Sequence, residues 1–189
     1  MHLGTRARLA TGALALAVAL SGCANRQLER FEATLAARNS ATDGLLDWCA
    51  MRDFGDKARI SALPASGPTQ PEPADARSLL AIAPGEPLGY RHVQLVCGGR
   101  VLSDAHNWYV PGRLSPEMNT MLAATRTPFG TVVAPLHFRR ERLASTRGAS
   151  AGCPEGTILS HRALLRLPDG RPISLVVECY TAANLAMRQ

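Results

Sequence analysis

The sequence predicts an α+β fold built on an antiparallel sheet. Apolar residues at helical spacing gather mainly near the start of the chain, and two alternating runs farther on each fold back around a glycine-containing turn. Strands therefore dominate the second half. No internal repeat is visible.

In "NRQLERFEATLAAR" (25–38), Leu28, Phe31 and Leu35 fall on one helical face, and Asn39 and Ser40 end the pattern. "TDGLLDWCAMRDF" (42–54) reads as a second helix, with Leu45, Leu46, Trp48, Cys49 and Met51 as a broad apolar face. "LPASGPTQPEPADA" (63–76) holds four prolines and little to bury, so a loop or flexible flap is expected. "RSLLAIAPGEPL" (77–88) returns to apolar character. "YRHVQLVC" and "RVLSDAHNWYVP" alternate around Gly98-Gly99, a hairpin signal. A helix is expected over 115–126, with Ser115 as N-cap, Pro116 at its first position, and Met118, Met121 and Leu122 facing inward. "TPFG" (127–130) ends it, "TVVAPLHFRRERL" (131–143) reads as a strand, and 148–156 as a loop. The closing runs "ILSHRALLRL" and "RPISLVVECY" form a second hairpin around Asp169-Gly170.

The first 23 residues have a different logic. Two arginines precede the short apolar run "TGALALAVAL", and "LSGC" (Leu20 to Cys23) follows it, the layout of a cleaved secretory signal. Cysteine after Leu-Ser-Gly resembles the bacterial lipobox, which implies a signal over 1–22 and lipidation of Cys23. With Ala24 as the next residue, resemblance to sorted lipoproteins favours the outer membrane, facing the periplasm. The chain is expected to reach the membrane through that lipid, with 23–42 as a lipidated N-terminus and tether helix and 43–189 as the globular domain. About 166 residues beyond position 23 suit one domain with a sizeable core.

The net charge is +6, but the basic residues are scattered and 20 of the 21 are Arg. No basic run with interleaved aromatics appears, so no nucleic-acid partner is expected. Cys49, Cys97, Cys153 and Cys179 permit two disulfides in an oxidising compartment, with three connectivities open, and Cys97 and Cys179 also suit plain burial. No CxxC or HxxxH spacing suggests a metal site on the cysteines. A monomer is expected.

Arg91 poses a physical question. In an extended chain it shares a face with Val93, Leu95 and Cys97, so a guanidinium stands in line with an apolar stripe. Such a charge is tolerable beside an anion, and Arg makes a two-pronged match to a carboxylate. The alternatives are a side chain reaching outward from the strand start, or a structural pair with Asp or Glu. Glu178 lies between Val177 and Cys179. A carboxyl there, if buried, would stay protonated and could donate to a ligand oxygen. Its phase, however, groups it with Ser174, Val176 and Tyr180, away from the more apolar face. His92, His106, His137 and His161 lack neighbouring acid or nucleophile spacing and read as structural.

The hairpin over 91–111, the helix ending in "TPFG", the terminal "LVVEC" strand and the early "GLLDWC" together resemble chorismate lyase, over roughly residues 44–182. The resemblance implies a single antiparallel sheet with helices packed on one face, related to UTRA effector domains, closing over an internal pocket. It implies elimination of pyruvate from chorismate to give 4-hydroxybenzoate, with no cofactor. Carried over position by position, it puts a carboxylate-binding Arg at Arg91 when the Gly98-Gly99 turn is the anchor. Anchoring on the cysteine puts His92 there instead; strand phase favours Arg91. It also implies a ligand-facing backbone amide at Phe129 and a pocket carboxyl at Glu178, with Arg91 and Glu178 as the catalytic pair. Where the family places a methionine contact this chain has Gly55, with Met51 one turn earlier. Three readings follow: a lipid-anchored lyase, a non-catalytic lipoprotein binding a small aromatic or cyclohexadienyl carboxylate, or a structural envelope lipoprotein.

Overall fold

The computed structural model describes residues 24–54 and 58–186. The expected signal over 1–22, the lipidation site Cys23 and Gly55 lie outside them. Among the described residues, no helix is long and apolar enough to cross a membrane.

One six-stranded antiparallel sheet carries the molecule: β1 (Ser61–Pro64), β2 (Gly89–Cys97), β3 (Arg100–Tyr109), β4 (Arg139–Arg147), β5 (Thr157–Arg166) and β6 (Pro172–Thr181), in the order β1-β2-β3-β6-β5-β4. The Gly98-Gly99 turn joins β2 to β3 with φ of 53° and 75°. Two successive positive φ values are what a tight hairpin needs to match the right-handed strand twist, and glycine supplies them without a Cβ clash. Gly170, at φ 87°, serves the β5–β6 turn.

Four helices cover one face: α1 (24–36), α2 (Ala41–Arg52), α4 (Pro116–Ala124) and α5 (Phe129–Val133). The segment expected as a tether contributes core instead, since Leu28, Phe31 and Leu35 of α1 are buried against Trp48, Leu95, Leu159 and Tyr180. Position 43, the expected domain boundary, falls inside α2. Ser40 caps α2, its hydroxyl accepting from the Asp43 N–H at 3.3 Å, and Ser115 caps α4 in the same way from Met118.

The Pro-rich segment is a loop with little to bury, as expected, for none of residues 63–75 is buried. Its start belongs to β1, and it crosses the opposite face of the sheet to the short α3 (Ala76–Leu79), where Ala76 and Leu80 bury against Trp108, Leu164 and Leu175. Two expectations are corrected. Residues 131–133 are helical, in α5, because Pro128 starts a turn that packs Val132 and Val133 into the core. Met121 of α4 is 41% exposed; Leu122 alone is fully buried on that helix.

The disulfides are Cys49–Cys97, tying α2 to the end of β2, and Cys153–Cys179, tying the 148–156 loop to β6. Both strand cysteines sit in the core, as plain burial required, and are bonded as well.

Candidate functional site

A cavity lies between the helical layer and the sheet. About 530 Å³ of atom-free space lies there, open solvent at the mouth included. Its walls are apolar: Val93 and Leu95 from β2, Ala105 from β3, Val176 from β6, Leu165 from β5, with Phe129 and Phe138 above. The polar lining is Arg91, Asn107, Arg140, Glu178, the N-terminal end of α2 at Ser40, Ala41 and Thr42, and His106, whose side chain the strand register turns to the other face of the sheet.

Strand register explains the gathering. Arg91 pairs with Asn107, which pairs with Val176, and Val93 pairs with Ala105, which pairs with Glu178. Directly paired residues share a face, so all six side chains point the same way. Arg91 and Glu178 are two strands and two residues apart, placing their Cα atoms roughly 12 Å from each other by ordinary strand spacing and rise. A flat ring with polar groups at both ends matches such a span.

Arg91 is half-buried. Its guanidinium donates to the Thr127 carbonyl at 3.2 Å and to the Thr125 carbonyl at 3.4 Å. Burial pulls its pKa down, opposed by Tyr109, and among the described residues it has no carboxylate partner. His92, the other position the resemblance allowed, points to the opposite face and meets Asp104 at 2.8 Å.

Glu178 is 6% exposed. Its phase grouping with Ser174, Val176 and Tyr180 is real, but every residue of β6 from Pro172 to Tyr180 is buried, because helices cover one face and the α3 segment the other. The phase that suggested solvent leads to the cavity. Glu178 also has a partner that sequence reasoning missed: the Arg140 guanidinium donates to its Oε2, and the Tyr180 hydroxyl donates to the same oxygen at 3.1 Å. The expected proton donor thus sits as an acceptor.

The Arg140 side chain is buried, and its Nη2 also faces His161 Nδ1 at 3.3 Å. Burial lowers its pKa, yet Glu178 and Tyr180 outweigh that and hold it above the usual value. His161 is pushed down to about 3, by burial first and then by Arg140 and Arg142, so it stays neutral. Tyr180 is pushed well above the usual phenol value, by burial and then by Glu178, and keeps its proton. A signal for Arg140 did exist: in "FRRERL" it shares the phase of Phe138. Nothing in that run separates it from its exposed neighbours, however.

Two donors on cavity-lining residues lack acceptors among the described residues. The Ser174 hydroxyl donates to Asn107 Oδ1, leaving buried Asn107 Nδ2 without a partner among the described residues. Arg140 Nε is in the same condition. The dipole of the twelve-residue α2 adds partial positive charge where its first turn meets the cavity. Phe129 lines the wall with Gly130, whose missing Cβ would lie 2.6 Å from the Ser40 hydroxyl. Met51 is exposed and no methionine is among the lining residues, so the family's methionine contact has no counterpart there.

The sequence is 40% identical over 173 residues to the uncharacterized protein y4mC of Sinorhizobium fredii (strain NBRC 101917 / NGR234), covering 82% of this chain and 73% of that one. No family model matches. Similar solved structures include the possible transcriptional regulator YydK from Bacillus subtilis, at TM-score 0.47 and 13% identity, covering 74% of this chain and 63% of that one. They also include the ligand-binding domain of a protein from Bordetella bronchiseptica described as a GntR-family transcriptional regulator. It has TM-score 0.47 and 16% identity, covering 67% of this chain and 85% of that one.

Proposed function

The chain belongs to the same family as y4mC of Sinorhizobium fredii, and we propose that its cavity binds a small, flat carboxylate such as 4-hydroxybenzoate. The observation that carries this reading is a set of unmatched donors on the residues of an apolar chamber: among the described residues, Arg91 has no carboxylate partner, and buried Asn107 Nδ2 and Arg140 Nε have no acceptor. Buried donors without acceptors are costly, and an oxygen-rich anion supplies what they lack. The guest's carboxylate meets Arg91, its ring meets Val93, Leu95, Phe129 and Phe138, and a ring hydroxyl donates to Glu178.

Titrating the full chain with 4-hydroxybenzoate and with its neutral amide tests this. Saturable binding and a raised melting temperature for the acid alone support it. Equal response to both, or to neither, refutes it.

The second reading is catalysis. It is favoured by Arg91 and Glu178 sharing one cavity, as the resemblance to chorismate lyase implies. Chorismate would lose its C4 proton as the C3–O bond breaks, the electron pair of the C–H bond completing the aromatic ring, and the departing enolpyruvate would take up one proton in exchange to become pyruvate. The chain's task would be to orient the substrate and exclude water. Release of 4-hydroxybenzoate and pyruvate in equal amounts from chorismate is the test. Lipidation at Cys23 and an envelope location belong to this proposal on the strength of the Leu20–Cys23 pattern alone.

A further inference from the structure

His92, Asp104 and His106 converge on the face of the sheet opposite the cavity, where the binding reading gives them no role. Register brings them together: His92 pairs with His106, and Gln94 with Asp104, so the three side chains emerge on one face of two paired strands. His92 Nε2 stands 2.8 Å from Asp104 Oδ1, and His106 Nε2 stands 3.5 Å from the same oxygen. One ligand atom from each residue lies within 4.8 Å of the other two. Ligands bound at about 2.0–2.1 Å to a tetrahedral ion stand about 3.3 Å from one another. The 2.8 and 3.5 Å contacts to Asp104 lie within about half an ångström of that spacing, and the two imidazole ligand atoms, no more than 4.8 Å apart, would draw together around an ion.

The surroundings suit a ligand set. Tyr90 Oη lies 2.9 Å from His106 Nδ1 and accepts from the Gln70 N–H at 3.0 Å. A proton on Nδ1 can thus be held by the phenol oxygen, which leaves the Nε2 lone pair aimed toward Asp104. Fixing one ring nitrogen so that the other can ligate is the usual work of groups behind a metal's own ligands. The two imidazoles stack at 4.1 Å between centroids, with Trp108 beside His106, so both rings are held in place. The Gly152 carbonyl also lies beside His106. The side chains of His92 and Asp104 keep 14% and 17% exposure, an entry route for an ion and room for a water ligand. Cys49, Cys97, Cys153 and Cys179 are all in disulfides and offer no competing thiolate.

We infer that His92, Asp104 and His106 form a binding site for a divalent transition ion that favours imidazole and carboxylate, Zn²⁺ by its geometry, with water in the fourth position. Without the ion, one proton lies between His92 Nε2 and Asp104 Oδ1. The ion takes its place, and the proton moves to His92 Nδ1, or to solvent where the imidazole was cationic.

The test is titration of the EDTA-stripped full chain with Co²⁺, followed by displacement with Zn²⁺. The expected result is one Co²⁺ per chain, with the strong visible bands of a four-coordinate ion and no thiolate charge-transfer band. Tyr90→Phe should weaken binding roughly 10- to 100-fold, and Asp104→Asn and His92→Gln should weaken it more. Far-UV circular dichroism must match the parent for each variant compared. No stoichiometric Co²⁺ or Zn²⁺ binding by the parent overturns the inference without recourse to any variant. So does unchanged affinity in folded Asp104→Asn and Tyr90→Phe, which would put the ion elsewhere.

Discussion

Replacing Arg140 with Met strands a carboxylate. Both members of the Arg140–Glu178 pair are almost fully buried, with side-chain exposures of 5% and 8%. Without the guanidinium, Glu178 keeps only the Tyr180 hydroxyl at 3.1 Å. Removing one partner of a buried pair costs about 3–5 kcal/mol, because the survivor's desolvation is no longer offset. With a urea m-value of ~2 kcal/mol/M, the unfolding midpoint should fall by roughly 1.5–2.5 M. Glu178→Gln should cost a similar amount by leaving Arg140 unpaired. The double variant Arg140→Met/Glu178→Gln, which buries no net charge and still offers Tyr180 an acceptor, should recover to within ~1–2 kcal/mol of the parent. Urea unfolding at pH 7 with disulfides intact measures all four corners of the cycle. Single variants each costing under ~1 kcal/mol, or a double variant costing their sum, would refute the pairing as described.

Gly130→Ala should lower stability by about 1–3 kcal/mol in the same assay, since the new Cβ would meet the Ser40 hydroxyl at 2.6 Å and the Thr42 hydroxyl at 3.1 Å where α5 approaches α2. An unchanged midpoint would contradict that close approach. Joint replacement of Cys49 and Cys97 by Ala, opening a 48-residue separation, should cost ~4 kcal/mol by chain entropy. The 26-residue Cys153–Cys179 separation should cost about 0.5 kcal/mol less. His161, with a folded pKa of about 3 against an ordinary 6.5, binds its proton more readily when unfolded. Its share of stability is complete above pH 6.5, falls with acidification, and is fully lost below about pH 3. At pH 5 the loss is ~2 kcal/mol. The stability of the parent minus that of His161→Gln should therefore be ~2 kcal/mol lower at pH 5 than at pH 7, and a constant difference would refute a neutral buried imidazole.

Much of the sheet was legible because its turns are chemically explicit. Gly98-Gly99 and Gly170 sit at positive φ, where few other residues rest without strain, and both hairpins fall where these residues announce them. The cap of α4 was equally plain, since Ser115 and Pro116 act through local geometry. Helix α5 was misread because Val132 and Val133 favour strands in isolation, while packing of the helical layer decides their conformation. The site was half legible. Arg91 and Glu178 stand out as charges in apolar strands, but the Arg140 pairing spans 38 residues and three strands, which no local pattern encodes. The His92–Asp104–His106 trio was hidden by a register shift between Leu95 and Val96. Continuing the pairing of Cys97 with Arg100 without that shift would set His92 opposite Ala105. The irregularity moves the register by one residue and brings the histidines together.

Isothermal titration of 4-hydroxybenzoate into the parent and into Arg91→Ala, both verified as folded, tests the central claim most directly. A guanidinium meeting the guest's carboxylate predicts saturable binding by the parent and a roughly 10- to 100-fold weaker Kd for the variant. Equal Kd values in the two proteins, or no heat of binding in the parent, would contradict it.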